Sequence, residues 1–338
     1  MNMEQQVRVF APLHRNHHLP SLPQESIYGR YTNLYPPKTT RLFLALNQLK
    51  SRSRIARWKP DLVHETYYAR FGSAPRMCPT VITVYDMIHE LFQNEIPFTD
   101  NTTRNKRIAI NRADHVLCIS ENTKLDLMRL HGTPASKLSV VHLGFDQFVA
   151  REGLLVPHTL SGKPFLLYVG KRAGYKNFSG LLKSAAASKR LISDFDIIAF
   201  GGGKFSSAEL RLIRSLGFAE NQVRHKSGDD SLLGNLYSLA RAFVYPSIYE
   251  GFGIPPLEAM AHHCPVISSN TSSMPEVIGA AGEYFNPVDT DDMSHAIEAV
   301  VYSDSRIDEL IKLGKRQLTA FSWNKCTQET LNVYRSLT

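Results

Sequence analysis

One stretch, from Phe243 to Glu283, constrains the fold more than any other. It opens Phe243-Val-Tyr-Pro-Ser-Ile-Tyr-Glu250-Gly-Phe-Gly-Ile-Pro-Pro-Leu-Glu258-Ala-Met-Ala. It continues through Pro265-Val-Ile-Ser-Ser-Asn and Ser273-Met-Pro-Glu276-Val. Phe243, Val244 and Tyr245 predict the end of a buried strand. Gly251 and Gly253 allow a sharp loop with bare backbone amides. Pro255 and Pro256 suit the first positions of a helix, where a missing N–H costs nothing. Glu258 is expected in the first turn of that helix and Glu250 in the loop before it. A strand, a glycine loop and a helix N-terminus together seat an anion such as a diphosphate. Two flanking carboxylates cannot hold phosphate, but they accept hydroxyl groups well. The pattern calls for a ligand with both phosphates and sugar hydroxyls, which describes a nucleotide-sugar. The plainer reading, a turn Glu and a first-turn Glu, leaves the spacing and the glycine and proline context without a reason.

Glu250 and Glu258, with seven residues between them in Glu-Gly-Phe-Gly-Ile-Pro-Pro-Leu-Glu-Ala-Met, resemble the signature of the GT-B retaining glycosyltransferases of family 4. That family includes many bacterial mannosyl-, glucosyl- and rhamnosyltransferases of surface-polysaccharide assembly. The resemblance covers the chain from about Arg57 onward. It implies an α/β fold of two Rossmann-like, doubly wound domains facing across a cleft. Residues 1–155 would bind the acceptor and residues 156–323 the nucleotide-sugar donor. Residues 324–338 would form a helix crossing back to the first domain.

The rest of the chain fits alternating strands and helices, which argues a parallel sheet with ligands beyond the carboxyl ends of its strands. Val7–Ala11 reads as a first strand, and Pro12–Pro37 as a long irregular loop. Within that loop Gly29-Arg30-Tyr31 faintly resembles a family element near the acceptor. Leu42–Trp58 has a helical pattern, with Leu42, Leu46, Leu49 and Ile55 assigned to one side and Lys50, Arg52, Arg54, Arg57 and Lys59 to the other. Such a basic amphipathic helix suits an anionic bilayer, although a solvated face is the commoner reason for the pattern. His64, Glu65, Tyr85, Asp86 and His89 fall at predicted strand ends. Many relatives have a His-Asp pair where this chain has Tyr85-Asp86; Asp86 is the matching acid, and His89 is a candidate replacement for the imidazole. Ser120 follows a strand and is expected to cap the next helix. A linker is expected over Gln147–Pro164.

Pro164–Gly170 predicts a buried strand, followed by Lys171-Arg172-Ala-Gly174-Tyr-Lys176. Arg offers fork geometry and Lys a point charge to a diphosphate. The resemblance assigns Arg172 and Lys176, and less strongly Lys171, to the donor phosphates and the charge on the leaving group. The glycines Gly201–Gly203 lack the Lys-Ser/Thr of a P-loop. His225 would lie near the nucleotide base. Relatives usually have Gly where this chain has His263, at the end of the helix after Glu258. The expected catalytic set is Glu250, Arg172, Lys176 and Asp86. Glu258, Gly251, Phe252, Gly253, Ile254, Lys171 and His225 are expected on the donor side, and Tyr85, His89, His64 and Ser120 on the acceptor side. Glu258 would hold the ribose, and Glu250 the transferred sugar with its oxocarbenium-like charge. Glu276 resembles a recurring structural acid.

The 338 residues favour two domains. No signal peptide or spanning segment is visible, and the four dispersed cysteines read as free thiols of a reducing cytosol. The expected location is therefore cytoplasmic, peripheral to the inner face of the membrane. Residues 1–150 hold 19 Lys/Arg against 12 Asp/Glu, whereas the rest hold 20 against 19. A basic first half suggests an anionic partner: a membrane surface, a lipid pyrophosphate or nucleic acid. A dehydrogenase is disfavoured, because residues 7–15 contain no glycine for a G-x-G-x-x-G loop. A non-catalytic membrane- or nucleic-acid-binding protein would leave the Glu250–Glu258 stretch unexplained. The resemblance implies no cofactor, no metal and no nucleic-acid partner. Its lead donor is GDP-mannose, with UDP- and dTDP-sugars as alternatives, and the acceptor would be a glycan or lipid-linked oligosaccharide.

Overall fold

The computed structural model describes residues 5–16, 18–33, 39–97, 100–146, 162–172 and 174–338. The expected domain boundary near 155 lies outside them. Every strand pairing among the described residues is parallel. Strands β1 (Val9–His14) and β2 (Ile27–Tyr31) form a ribbon of their own. Strands β3 (Val63–Glu65), β4 (Thr80–Val84), β5 (His115–Cys118) and β6 (Leu138–Val140) lie side by side in that order. The larger sheet holds β7 (Phe165–Val169), β8 (Asp196–Phe200), β9 (Val223–Lys226), β10 (Ala242–Tyr245), β11 (Val266–Ser269) and β12 (Gly282–Phe285). Its order is β12-β11-β10-β7-β8-β9, the doubly wound arrangement that reverses direction between β7 and β10.

Helices α1 (Thr40–Trp58), α2 (Ile88–Leu91), α3 (Thr102–Arg112) and α4 (Glu121–His131) accompany the first two sheets. The larger sheet carries α5 (Phe178–Ala187), α6 (Lys189–Asp194), α7 (Ser207–Ser215), α8 (Asp230–Leu239), α9 (Ile254–Ala261), α10 (Met274–Ile278), α11 (Thr290–Val301) and α12 (Asp304–Gln317). Leu166, Leu167, Ile198, Phe243, Val244 and Ile267 are fully buried, because helices cover both faces of this parallel sheet. The last helix, α13 (Trp323–Arg335), returns to the first domain. Its Cys326, Val333 and Tyr334 pack on Val81, Leu117 and Val141. The two larger parallel sheets thus turn the loops at their carboxyl-terminal edges toward each other.

Two sequence expectations are corrected. The region read as an irregular loop over Pro12–Pro37 contains β2, which pairs with β1. Gly29 permits this: a Cβ there would lie 2.0 Å from the Ala11 carbonyl oxygen. Asn47 closes the other side of β1, accepting from the Leu13 N–H at 2.9 Å and donating to its carbonyl at 2.7 Å. The inward face of α1 therefore runs through Asn47, Ser51 and Ile55, spaced one turn apart. Ile55 is buried, whereas Leu42, Leu46 and Leu49 face outward. The leucines and Ile55 do not share a face, since six residues from Leu49 to Ile55 make well over one and a half turns.

Candidate active site

The switch point of a doubly wound sheet leaves a crevice between the loops after its two central strands. Here those are the loops after β7 and β10. The first ends in a tight 3-10 turn, Gly174–Lys176, and the second carries Glu250. Ile248 N–H donates to the Tyr175 carbonyl at 2.8 Å and ties the loops together. Lys176 Nζ then meets Glu250 Oε1 at 2.5 Å, with side chains 18% and 9% exposed. Two charges that far from water are held by each other. Burial, followed by Glu250, Asp86 and Glu95, pushes the neighbouring Tyr175 phenol up to about 12.

The Glu250 loop is held from below by hydroxyls that the sequence reading did not single out. Ser269 Oγ donates to the Ser247 carbonyl at 2.6 Å and Thr271 Oγ1 to that of Ile248 at 2.8 Å. Ser272 Oγ accepts from the Glu250 N–H at 2.9 Å. Ser273 Oγ lies 2.9 and 2.7 Å from the carbonyls of Glu250 and Phe252. The signal was present as a run of small hydroxyl residues directly after a buried strand. Such side chains satisfy irregular backbone where no neighbouring strand can.

Gly253, at φ 121°, turns the chain into α9, which begins at Ile254 with Pro255 and Pro256 next. Glu258 is consequently the fifth helical residue and opens the second turn, one turn later than expected. Its carboxylate is held by Tyr237, whose hydroxyl donates to Glu258 Oε2 at 3.1 Å. Burial raises the Glu258 carboxyl to about 7, the Tyr237 hydroxyl pulls it back down, and Asp230 adds to the rise. Phe252 is buried against His142 and Phe321, so its ring is not available to a ligand. His263 adopts the left-handed conformation, φ 58°, at the end of α9.

Arg172 is placed differently from the expectation. Its side chain is 4% exposed and its Nε donates to Glu209 Oε1 at 2.5 Å. Its terminal nitrogens donate to the carbonyls of Gly201 (2.8 Å), Gly203 (2.9 Å) and Lys204 (3.1 Å). Phe205 and Phe178 flank the guanidinium. The fork is occupied in holding the loop after β8, whose three glycines all have positive φ. Lys171 beside it is exposed. His225, at the end of β9, meets Phe205 edge-on, and its Nε2 is buried without a hydrogen-bond partner. Burial, then the Arg172 charge, lowers its pKa.

The first domain meets this site with the ends of its own strands. Gly251 sits against Tyr85 and Asp86: a Cβ there would lie 1.9 Å from the Tyr85 carbonyl oxygen. Ser120 Oγ accepts from the Thr123 N–H at 3.0 Å as the cap of α4 and lies 2.7 Å from the Gly251 carbonyl. Tyr249 reaches into the first domain's core, its hydroxyl donating to Asp126 Oδ2 at 2.8 Å. Glu276 accepts from the N–H groups of Glu121 (2.8 Å) and Asn122 (3.3 Å) at the start of α4. It also meets His142 Nε2 at 2.6 Å. Burial alone would raise the Glu276 carboxyl, but His142 and the two amides together hold it below the usual range.

Asp86 Oδ1 accepts from the Ile88 N–H at 3.0 Å. The fully buried Lys106 ammonium lies 2.7 Å from the Asp86 carbonyl and from Glu90 Oε2, and 3.8 Å from Asp86 Oδ1. The cation beside Asp86 is therefore a lysine that the sequence reading did not propose. His89 pairs instead with Asp100, at 3.8 Å. His64 is held between Tyr334 of α13 (2.5 Å) and Thr83 (2.8 Å), and burial lowers it to about 4. The structure thus brings Glu250, Lys176, Gly251, Tyr85, Asp86 and Ser120 to the junction of the domains. Glu258 and His225 lie along the edge of the larger sheet, and His64 and His89 are engaged elsewhere.

Comparison with known proteins places this geometry. Residues 2–147 match the model described as Glycosyltransferase Family 4, and residues 156–317 that described as Glycosyl transferases group 1. The chain is 32% identical over 237 residues to O-antigen chain mannosyltransferase B of Escherichia coli, covering 68% of this chain and 62% of that one. It is 40% identical over 116 residues to the serotype-specific mannosyltransferase WbdA of Escherichia coli, covering 34% of this chain and 14% of the relative. The chain therefore spans less than two thirds of the length of either relative. Among solved structures, a sucrose-phosphate synthase from Thermosynechococcus elongatus superposes with a TM-score of 0.70 at 20% identity, covering 92% and 84% of the two chains.

Proposed function

The chain belongs to the family-4, group 1 glycosyltransferases, and from that premise we propose that it transfers a hexose, with retention, from a nucleotide-diphosphate sugar to a hydroxyl of a glycan or lipid-linked oligosaccharide. The observation that carries this reading is the Lys176–Glu250 pair at the switch point of the donor sheet. Lys176 supplies a preorganised cation for the diphosphate as it leaves, and the amino end of α9 adds its partial positive charge. Glu250 accepts hydroxyls of the transferred sugar and stabilises positive charge at its anomeric carbon. Lys176 holds the Glu250 carboxylate in place through their direct ion pair. Glu258 accepts the ribose hydroxyls. Arg172 acts at one remove, by fixing the glycine loop, and Lys171 is the exposed cation beside it. Asp86, next to Lys106, faces the acceptor hydroxyl. These groups supply the charge stabilisation that a metal ion provides elsewhere, so turnover is expected to persist in EDTA.

GDP-mannose is the lead donor and surface polysaccharide such as O-antigen the lead product, since the named relatives are mannosyltransferases. The test is transfer of labelled mannose from GDP-mannose to a lipid-linked acceptor. Glu250→Ala and Lys176→Ala should each lower kcat/KM by about 10² or more. Near-normal turnover in either variant would overturn the assignment. Transfer from a UDP- or dTDP-sugar alone would overturn only the choice of donor.

The acceptor would be met at an anionic membrane surface. Among the described residues no helix is long and apolar enough to cross a membrane. Leu42, Leu46 and Leu49 are exposed on α1 next to Lys50, Arg52 and Arg57, a combination that suits the inner leaflet. Sedimentation with phosphatidylglycerol vesicles, lost in a Leu46→Glu/Leu49→Glu variant that remains folded, tests this. No sedimentation of the unaltered chain would refute it.

A further inference from the structure

Glu258 is one of two acids in its motif, but it is not held as Glu250 is. Among the described residues no cation pairs with it, and its defined partner is the phenol of Tyr237 on the preceding helix α8. That phenol is fixed with unusual completeness. Tyr237 is 0% exposed, with Phe243 edge-on to its ring at 5.4 Å and His262 stacked on it at 5.9 Å. A fully buried ring in this sandwich has one place to put its hydroxyl, and that place is Glu258 Oε2. The terminal torsion of a glutamate is broad and roughly two-fold, so the carboxylate plane is otherwise poorly defined. Gripping two vicinal hydroxyls requires a definite plane. We propose that Tyr237 is a positioning residue that sets the plane of the Glu258 carboxylate, so that discrimination of a ribonucleotide from its 2′-deoxy analogue depends on this buried phenol. The inference rests on the reading of Glu258 as the ribose-binding acid.

The chemistry of the pair supports the geometry. Burial, and then the nearby Glu258 charge, raise the Tyr237 phenol well above its ordinary value, so it remains a donor at every working pH. The same hydroxyl opposes the effect of burial on Glu258. The groups facing Glu258 are Tyr237 and Asp230 of α8, and Asp230 disfavours its ionisation. Tyr237 is thus the group that favours the carboxylate form needed to accept two hydroxyls. Oε2 keeps a second lone pair for one ribose hydroxyl and Oε1 serves the other.

The test is calorimetric binding of guanosine diphosphate and 2′-deoxyguanosine diphosphate to the full chain, repeated with the uridine pair if those bind more tightly. In Tyr237→Phe the ribonucleotide should bind about ten- to a hundred-fold more weakly at pH 7, the worth of one hydrogen bond to a charged acceptor. The 2′-deoxy analogue should lose much less, so the preference for ribose shrinks toward unity. An unchanged preference in Tyr237→Phe overturns the inference, because a purely structural role would weaken both ligands alike. Glu258→Ala separates the two levels. If it abolishes the preference and Tyr237→Phe does not, only the role of Tyr237 fails; if it leaves the preference intact, the ribose assignment itself fails. Should Tyr237→Phe not fold, 3-fluorotyrosine at position 237 keeps the shape and donates more strongly. Ribonucleotide affinity at pH 6.5 should then rise about two-fold, and an unchanged or lower affinity overturns the inference.

Discussion

Replacing Gly251 with alanine should separate two functions that the sequence places in one loop. Gly251 is not among the residues of positive φ, so alanine meets no backbone strain there. What refuses the side chain is space, and the obstacle belongs to the other domain. The new Cβ would lie 1.9 Å from the Tyr85 carbonyl oxygen and 2.9 Å from Asp86 Cβ. Ordinary contact begins near 3.4 Å, so the domains must part by roughly 1.5 Å at this point. That displacement breaks the contact of Ser120 with the Gly251 carbonyl (2.7 Å), that of Thr123 (3.3 Å) and the Tyr249–Asp126 bond (2.8 Å). At about 1 kcal/mol for each neutral bond and about 1.5–3 kcal/mol for the bond to the carboxylate, closure loses about 3.5–5 kcal/mol. Misplacement of reacting groups by an ångström costs about 10² in rate. Gly251→Ala should therefore lower kcat about 100-fold while nucleoside diphosphate affinity, measured by calorimetry, stays within about two-fold. Small-angle scattering should show a more open particle. Wild-type kcat, or lost nucleotide binding with closure intact, would refute the steric reasoning.

Arg172→Ala strips four hydrogen bonds from a guanidinium that is 4% exposed, leaving Glu209 and three carbonyls without it. It should lower unfolding free energy in urea by about 3 kcal/mol or more; unchanged stability with lost nucleotide binding would make Arg172 a direct phosphate ligand instead. Glu276→Gln removes the acid that links α10 to His142 and the start of α4. Because the Glu276 carboxyl is held below its ordinary value, its stabilisation is present above the unfolded pKa and disappears as pH falls through the lower folded one. The loss of melting temperature on acidification should accordingly be shallower in Glu276→Gln than in the unaltered protein, and parallel curves would contradict this. Glu258 has the opposite sign: its folded value, about 7, lies above the unfolded one. Its contribution to stability is greatest below the unfolded pKa and declines as pH rises through about 7. Nucleotide affinity should rise over the same interval as the carboxylate forms, with a flat profile in Glu258→Gln; a flat profile in the unaltered protein would place the titration elsewhere.

The strand–loop–helix at Glu250 was legible because each of its parts has a local cause: a buried β-branched and aromatic run, glycines for the turn, prolines at the helix start. The doubly wound order follows from strands alternating with helices. Roles that depend on what lies across space were not legible. Arg172 reads as a phosphate ligand because sequence shows its charge, but not that the left-handed glycines Gly201–Gly203 bring carbonyl oxygens to its fork. His89 was matched to Asp86 by proximity along the chain, whereas a lysine twenty residues on fills that place. The α1 leucines and Ile55 look like one side of the helix until Asn47 is seen to act as the missing neighbour of β1. Glu258 fell one turn late because α9 already begins at Ile254. Gly251 invited a phosphate argument, while its lack of a side chain is demanded by Tyr85 in the other domain.

The most direct measurement is thermal stabilisation of the purified chain by a panel of nucleotide-sugars in EDTA, run in parallel on Glu258→Ala. Donor binding to the switch-point site predicts a rise in melting temperature with one nucleotide class, GDP-mannose first, that disappears in the variant. No rise with any donor, with or without a lipid-linked acceptor, would contradict the account of this site as a nucleotide-sugar transferase.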